Sequence, residues 1–195
     1  MANMNLEKTV LNPDRDIQLR VPKESDLIKL ATSIFEPENF ELIVTFTGYT
    51  TDITTPKIYL DKKLKPRLKE TKEGCELLLF IYYKGQLAGR ISAHEIDYKT
   101  KKTEIGYLLL KEFRGKGIIT RCARELERFL FEDLDINRIE LTVDPKNLPS
   151  IAVAKKLGYT HEGTLRESYF NEYLGEYRDD QIWSKLKSDF KLSES

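Results

Sequence analysis

Apolar positions along the chain recur with two periods, and the changes between them divide it into elements. "DIQLRVP" has the pattern of a strand, and in "ESDLIKLATSIF" Leu27, Leu30, Ala31, Ile34 and Phe35 fall on one side of a helix. "CELLLFIYYKGQLAGRISAHEID" predicts a hairpin turning at Lys84-Gly85-Gln86, and "YKTKKTEIGYLLL" adds a strand after a polar turn. Beyond it, Ile119, Cys122, Ala123, Leu126, Phe129 and Leu130 sit at helical spacing. "NRIELTVD" follows as a strand and "NLPSIAVAKKLG" as a helix, with Asn147 placed to cap its start and Gly158 its end. "YTHEGTLRESYFNEY" and "EYRDDQIWSKLK" flank Leu174-Gly175 and predict a closing hairpin. Hairpins on both sides of one strand-helix-strand-helix stretch predict an α+β fold with a mixed sheet. The segment 36–74 is less decided. "ELIVTF" suits strand or helix, and "TPKIYLDKKLKPRLKETKEG" opens on a Thr-Pro helix start and then meets Pro66, which should kink or end the helix.

Composition narrows the class. The 195 residues, 40% apolar and 33% charged, suit one domain with a core that needs no disulfides. Lys plus Arg equal Asp plus Glu at 32 each, which removes the whole-chain electrostatic argument for a nucleic acid or an anionic membrane as partner. No apolar run approaches the ~18 residues of a membrane span, and "MANMNLEKTVLN" lacks the apolar core of a signal peptide. A cytoplasmic protein is expected. Cys75 and Cys122 are far apart and in no ligand-like spacing with His94 or His161, so neither a metal nor a disulfide framework is expected.

The chemistry concentrates in "EFRGKGIIT", between the strand "EIGYLLL" and the helix from about Ile118. Amides without partners and the helix dipole favour an anion there. Gly115 and Gly117 permit positive φ angles and keep side chains out of the way of an approaching phosphate, while Arg114 and Lys116 supply charge or simply meet water. A tight strand-to-helix turn with solvated basic residues would look the same. The Walker pattern fails for want of a Gly-Lys-Ser/Thr at the right spacing. The dinucleotide pattern comes nearer, with Gly115, Gly117, Thr120 in place of the third glycine and Asp144 ending the next strand, but no second mononucleotide half is visible.

"EIGYLLLKEFRGKGIIT", followed by "NLPSIAVAKKLGY", resembles the GNAT superfamily of acetyl-CoA-dependent N-acetyltransferases, and "LRESYFNEYLGEYRDDQIWSKL" is similar to its ribosomal-protein N-terminal (RimJ/RimL-like) branch. The resemblance covers about Lys102 to Leu186, extends back to Ile17 and is weak across 36–74. It implies a single domain over 1–195, a mostly antiparallel twisted sheet flanked by helices. Residues 16–101 would form an N-terminal part with 36–74 on the acceptor side, and 102–188 the acetyl-CoA-binding core and closing hairpin. It further implies that Arg114, Gly115, Lys116, Gly117, Ile118, Ile119 and Thr120 surround the coenzyme A pyrophosphate. Freed backbone groups at Leu108, Leu109 and Leu110 would pair with pantetheine, and Asn147 would reach the same arm. Ile119 departs from the family's usual Gly or Ala, although its amide is unaffected.

Direct attack of a neutral amine on the thioester, the family's chemistry, needs no covalent nucleophile and no metal, and Cys122 on the buried helix face reads as core. Glu104 is the candidate base. The tyrosine many members use as acid is replaced by Ala154, and Ser150, one turn earlier, matches the ribosomal branch as the alternative proton donor. His94 and His161 are reserve bases, and Asp179 matches an aspartate of the branch's hairpin with an orienting or structural role. The acceptor is expected to be a protein N-terminal α-amine, with a polyamine, aminoglycoside or amino acid as the alternative and a non-catalytic acyl-CoA-binding module as the reading outside enzymology. "KKLKPRLK" could attract an acidic protein or a phosphorylated acceptor, but fits a solvated helix face better. Tyr169, Tyr173 and Tyr177 could line the acceptor cleft, form a homodimer contact or simply be buried.

Overall fold

The computed structural model of the chain describes residues 6–46 and 51–194, so residues 47–50 of the 36–74 segment lie outside the described residues. The strands are β1 (Val10–Asp14), β2 (Ile17–Arg20), β3 (Leu77–Tyr83), β4 (Gln86–Asp97), β5 (Lys102–Leu109), β6 (Arg138–Val143), β7 (Thr160–Asn171) and β8 (Glu176–Leu186). They form one sheet in the order β1-β2-β3-β4-β5-β6-β8-β7. Neighbours are antiparallel except β5 and β6, which the crossover helix forces to run parallel. The helices are α1 (Glu24–Ile34), α2 (Pro37–Phe46), α3 (Pro56–Tyr59), α4 (Lys65–Glu73), α5 (Ile118–Arg128), α6 (Leu148–Leu157) and α7 (Lys187–Glu194). Short β1 and terminal α7 carry too little pattern to have been anticipated.

The described part of the undecided segment is mostly helical. In α2, Asn39, Ile43 and Val44 are buried at helical spacing, so "ELIVTF" is the end of a helix. Thr55 caps α3 by accepting the Ile58 N–H. The chain then widens into a π turn over Leu60–Leu64, where the Lys65 N–H reaches back five residues to the Leu60 carbonyl. Pro66 therefore falls in the first turn of α4, where its missing N–H costs nothing, and the helix continues past it.

Alternation along the strands gives the sheet two different faces. One carries Leu19, Ile81, Ile91, Ile105, Ile139 and Leu141, all buried. Against it lie α5 and α6, tied by Lys185 of β8, which pairs with Glu127 of α5 and donates to the Leu157 carbonyl of α6. The other face carries Arg20, Arg90, Ser92, His94, Glu104 and Glu140. There α1 is held by Asp26 to Arg20, and α4 by Arg67 to Ser92.

The sheet opens in its middle. β5 and β6 pair only from Lys102–Arg138 to Glu104–Glu140, after which β6 continues on β8 alone. The loop 110–117 and the start of α5 lie at the end of the strand that has lost its neighbour.

Candidate active site

Gly115 and Gly117 take the left-handed conformation, at φ 75° and 67°, and nothing stands within 4 Å of where a Cβ would be on either. The turn demands glycine, and the space before it is open. Among the described residues no protein oxygen accepts the N–H of Gly115, Lys116, Gly117, Ile118, Ile119 or Thr120, and Arg121 is the first whose amide turns inward, to Gly117. Six consecutive donors without a protein acceptor therefore lead into a helix N-terminus, with open space beside Gly115 and Gly117.

The basic side chains do not join them. Arg114 donates through Nε to the Leu109 carbonyl at 2.9 Å and through Nη2 to Asn39 Oδ1 at 3.0 Å, and its own amide is taken by Lys111. It braces the end of β5, with its backbone N–H and these two side-chain nitrogens engaged inside the protein and its charge not met by an ion pair. Lys116 folds back onto the Glu112 carbonyl at 2.7 Å. Arg121, unremarked in the sequence, holds the Lys116 and Gly117 carbonyls from behind and is itself fixed by Asp14 at 2.6 Å.

Register corrects the expectation of three freed leucines. The Leu110 N–H donates to Ala88 at 2.9 Å, and Leu108 lies opposite Arg90, so the even-numbered residues of β5 turn their backbone groups to β4. Of Leu108, Leu109 and Leu110, only Leu109 faces the gap, with Tyr107 beside it in the same phase. The Leu109 carbonyl already accepts from Arg114, which leaves its N–H as the group on offer.

Glu104 is the last paired residue before the strands part, on the face away from α5. Burial raises its pKa, opposed by hydrogen bonding to Thr142, and Glu95 and Glu140 raise it further. His94 lies opposite, with Nε2 3.8 Å from Glu104 Oε1. Burial, helped by Arg67 and Arg90, brings His94 down to about 4, so it stays neutral at physiological pH and its Nδ1 is unpartnered.

Ser150 is on the other side of the gap, in the first turn of α6. Asn147 Oδ1 accepts the Ser150 N–H at 3.3 Å, confirming the cap and leaving the Asn147 amide nitrogen free to donate. The Ser150 hydroxyl stands beside that of Tyr107, which burial has raised. Behind them Tyr159 and the fully buried Glu127 carboxylate continue to Lys185, 2.8 Å from Glu127.

The remaining candidates have contacts within the fold, with Tyr173 and Tyr177 more than half exposed. Burial pushes the Cys122 thiol up to about 12, and exposed His161 stacks on Trp183 at 4.9 Å. Asp179 accepts the Glu167 N–H at 2.8 Å, pinning an irregularity in β7, and Asp144 is locked to Arg178 at 2.6 Å. Tyr173 meets Phe40 edge-on at 6.1 Å, Tyr177 meets Phe170 at 5.1 Å, and Tyr169 is half-buried. Asn171, missed in the sequence, is fully buried and donates to the Val44 and Thr45 carbonyls, docking the closing hairpin onto α2. Among the described residues no group of three or more His, Cys, Asp or Glu is arranged to hold a metal ion, and no helix is long and apolar enough to cross a membrane.

The family model described as the acetyltransferase (GNAT) domain matches residues 16–160. A putative ribosomal N-acetyltransferase of Bacillus subtilis, YdaF, is 38% identical over 111 residues, covering 57% of this chain and 60% of that protein. Spermidine N(1)-acetyltransferase of Escherichia coli K12 is 32% identical over 111 residues, covering 57% and 59%. The match thus spans less than two thirds of either relative. Among solved structures, the ribosomal L7/L12 α-N-protein acetyltransferase RimL in complex with coenzyme A superposes with a TM-score of 0.85 at 21% identity, covering 93% of this chain and 99% of that one. This likeness is one of fold.

Proposed function

Since the chain belongs to the acetyltransferase (GNAT) family, we propose that it transfers an acetyl group from acetyl-CoA to a primary amine, by preference the α-amine of a protein N-terminus. The observation that carries this reading is the row of six unpaired amides from Gly115 to Thr120, opening onto the gap between β5 and β6. Those amides suit a diphosphate. The Leu109 N–H and the Asn147 amide would receive the pantetheine arm in the way an added strand would. The coenzyme supplies the activated thioester, and the chain's own residues do the rest.

Glu104 takes the proton of the attacking amine, directly or through a water. A peptide α-amine has a pKa of about 8, so roughly a tenth is already neutral at pH 7, and a carboxylate with a raised pKa is a sufficient base. Ser150, across the gap and beside the Tyr107 hydroxyl, protonates the departing thiolate or orients a water that does. The base therefore stands on the acceptor side of the sheet and the acid on the α6 side. The ribosomal relative and the coenzyme-bound RimL fold favour a protein N-terminus. The spermidine relative favours a small amine as the second reading.

Thiol release, measured with peptide N-termini, polyamines and aminoglycosides in parallel, tests the assignment. Faster turnover with peptides is expected. Turnover confined to polyamines would transfer the function to the second reading.

A further inference from the structure

On the face of the sheet that carries Glu104 sit two guanidinium groups that the protein neutralises only in part. Arg90, Ser92 and His94 alternate along β4 on the Glu104 side. Arg67 reaches down from α4 to place Nη1 3.2 Å from Ser92 Oγ and 3.3 Å from a Glu76 carboxylate oxygen that is almost wholly buried. Arg90 has no ion pair or hydrogen bond among the described residues, and its Nε is buried without a partner. The charges of Arg67 and Arg90 interact with each other, with Glu76 and with His94. Glu76 balances them poorly, because burial raises it to about 7, and His94 is neutral. Two guanidinium groups thus face the buried Glu76 carboxylate and the Glu70 carboxylate bonded to it, and Arg90 itself is left without an ion pair among the described residues. Half-buried cations without counter-charge are costly to retain, and a guanidinium is well suited to clasp a carboxylate in bidentate fashion.

Resting on the acetyl-transfer reading, we propose that the Arg67–Arg90 pair receives a carboxylate carried by the acceptor, so that the enzyme selects amines bearing an acidic group near the nitrogen. Glu104 forms the negative pole for the amine and the two arginines form the positive pole for the acid. Ser92, where Arg67 is anchored, is two residues along β4 from His94, about 7 Å, and Arg90 is about 13 Å away. That span suits a peptide N-terminus with Asp or Glu at its second or third residue, or a short amino acid or dipeptide presenting its own α-carboxylate. A polycation would bring its second ammonium against the arginines and be repelled.

The test compares acceptors matched in shape and differing in charge. Tripeptides with Asp or Asn at positions two and three, dipeptides and their C-terminal amides, and spermidine are each assayed by thiol release and by calorimetric titration into the protein without cofactor. Wild type, Arg90→Met and Arg90→Lys are used. The expected result is an acid-over-amide preference on the order of tenfold in kcat/KM and in Kd, lost in Arg90→Met, partly kept in Arg90→Lys, with acetyl-CoA affinity unchanged in both. Preference for the Asp tripeptides assigns the carboxylate to a peptide side chain, and preference for the free dipeptides assigns it to a small acceptor. Equal use of acid and amide by wild type, or a preference that survives in Arg90→Met, overturns the proposal while leaving acetyl transfer intact. If no acceptor releases thiol but the acidic ligands still bind in an Arg90-dependent way, the transfer reading falls and the carboxylate site stands. Should Arg90→Met fail to fold, the acid-against-amide comparison on wild type still decides.

Discussion

Glu104 and His94 face each other at the point where the sheet opens, and their roles separate on substitution. Glu104→Gln keeps the shape and removes the base. Steady-state kinetics should show kcat reduced by about 100-fold with acetyl-CoA affinity retained, whereas normal turnover would remove Glu104 from the mechanism. Ser150→Ala should slow turnover less, again without loss of cofactor. The buried titrating groups make a separate prediction for stability. His94 has a folded pKa of about 4, below its unfolded value of 6.5, so its neutrality contributes stability above pH 6.5 that is lost as pH falls toward 4. Glu76 does the reverse. Its folded pKa of about 7 lies above the unfolded 4.5, so its contribution is full below pH 4.5 and lost as pH rises through 7. Between pH 5 and 6.5 the two slopes oppose each other, and His94→Gln should leave that of Glu76 exposed. Melting temperatures of the variant relative to wild type should then fall as pH rises across this window, and a constant difference would contradict the pairing. Neither group's state was legible in the sequence, because burial, the cause of both shifts, depends on α4 closing over β4.

Among the elements, the join between α2 and the end of β5 matters most to the site. Asn39, almost fully buried, accepts the Lys111 N–H at 2.8 Å and Arg114 Nη2 at 3.0 Å while donating to Ser33 at 2.9 Å. Asn39→Ala would strand these donors at a cost of about 1–3 kcal/mol, read as a lower urea midpoint. It should also weaken acetyl-CoA binding, because Arg114 would lose the brace that holds the strand end beside the loop; full-strength binding would show the brace to be dispensable. The β4–β5 ladder has an equally specific weak point. A Cβ at Gly89 would collide with the Leu108 carbonyl, so Gly89→Ala should separate the strands and lower the urea midpoint by the equivalent of about 1–3 kcal/mol. Elements with a strong rhythm, such as β3, β4, α1, α5 and α6, could be read directly from the chain. α2 could not, since "ELIVTF" is apolar enough for either state and the helix is held by the bonds of Asn39 to Lys111 and of Asn171 to Val44, contacts far away in sequence. Pro66 misled for a local reason: a π turn placed it where a helix tolerates proline.

Across the whole molecule, a parallel pair of strands that parts after three rungs produces the cleft, and the two sheet faces supply different chemistry on either side of it. Glycine spacing, a following helical rhythm and a cap at Asn147 made the cofactor side legible. Which backbone groups face the gap depended on register, and where Arg114 points depended on α2, so those details could not be read locally. On the side proposed for the acceptor, Asn171 ties the closing hairpin to α2 and Arg67 ties α4 to β4, contacts distant in sequence that were correspondingly opaque. All of it presupposes that the loop amides hold the donor. Calorimetric titration of acetyl-CoA into wild type and Gly117→Val, with circular dichroism to confirm the fold, tests this most directly. Gly117 sits at φ 67° before open space, so valine should distort the turn and obstruct the approach. The account predicts binding by wild type and its loss in a folded Gly117→Val; unchanged affinity in that variant would contradict it.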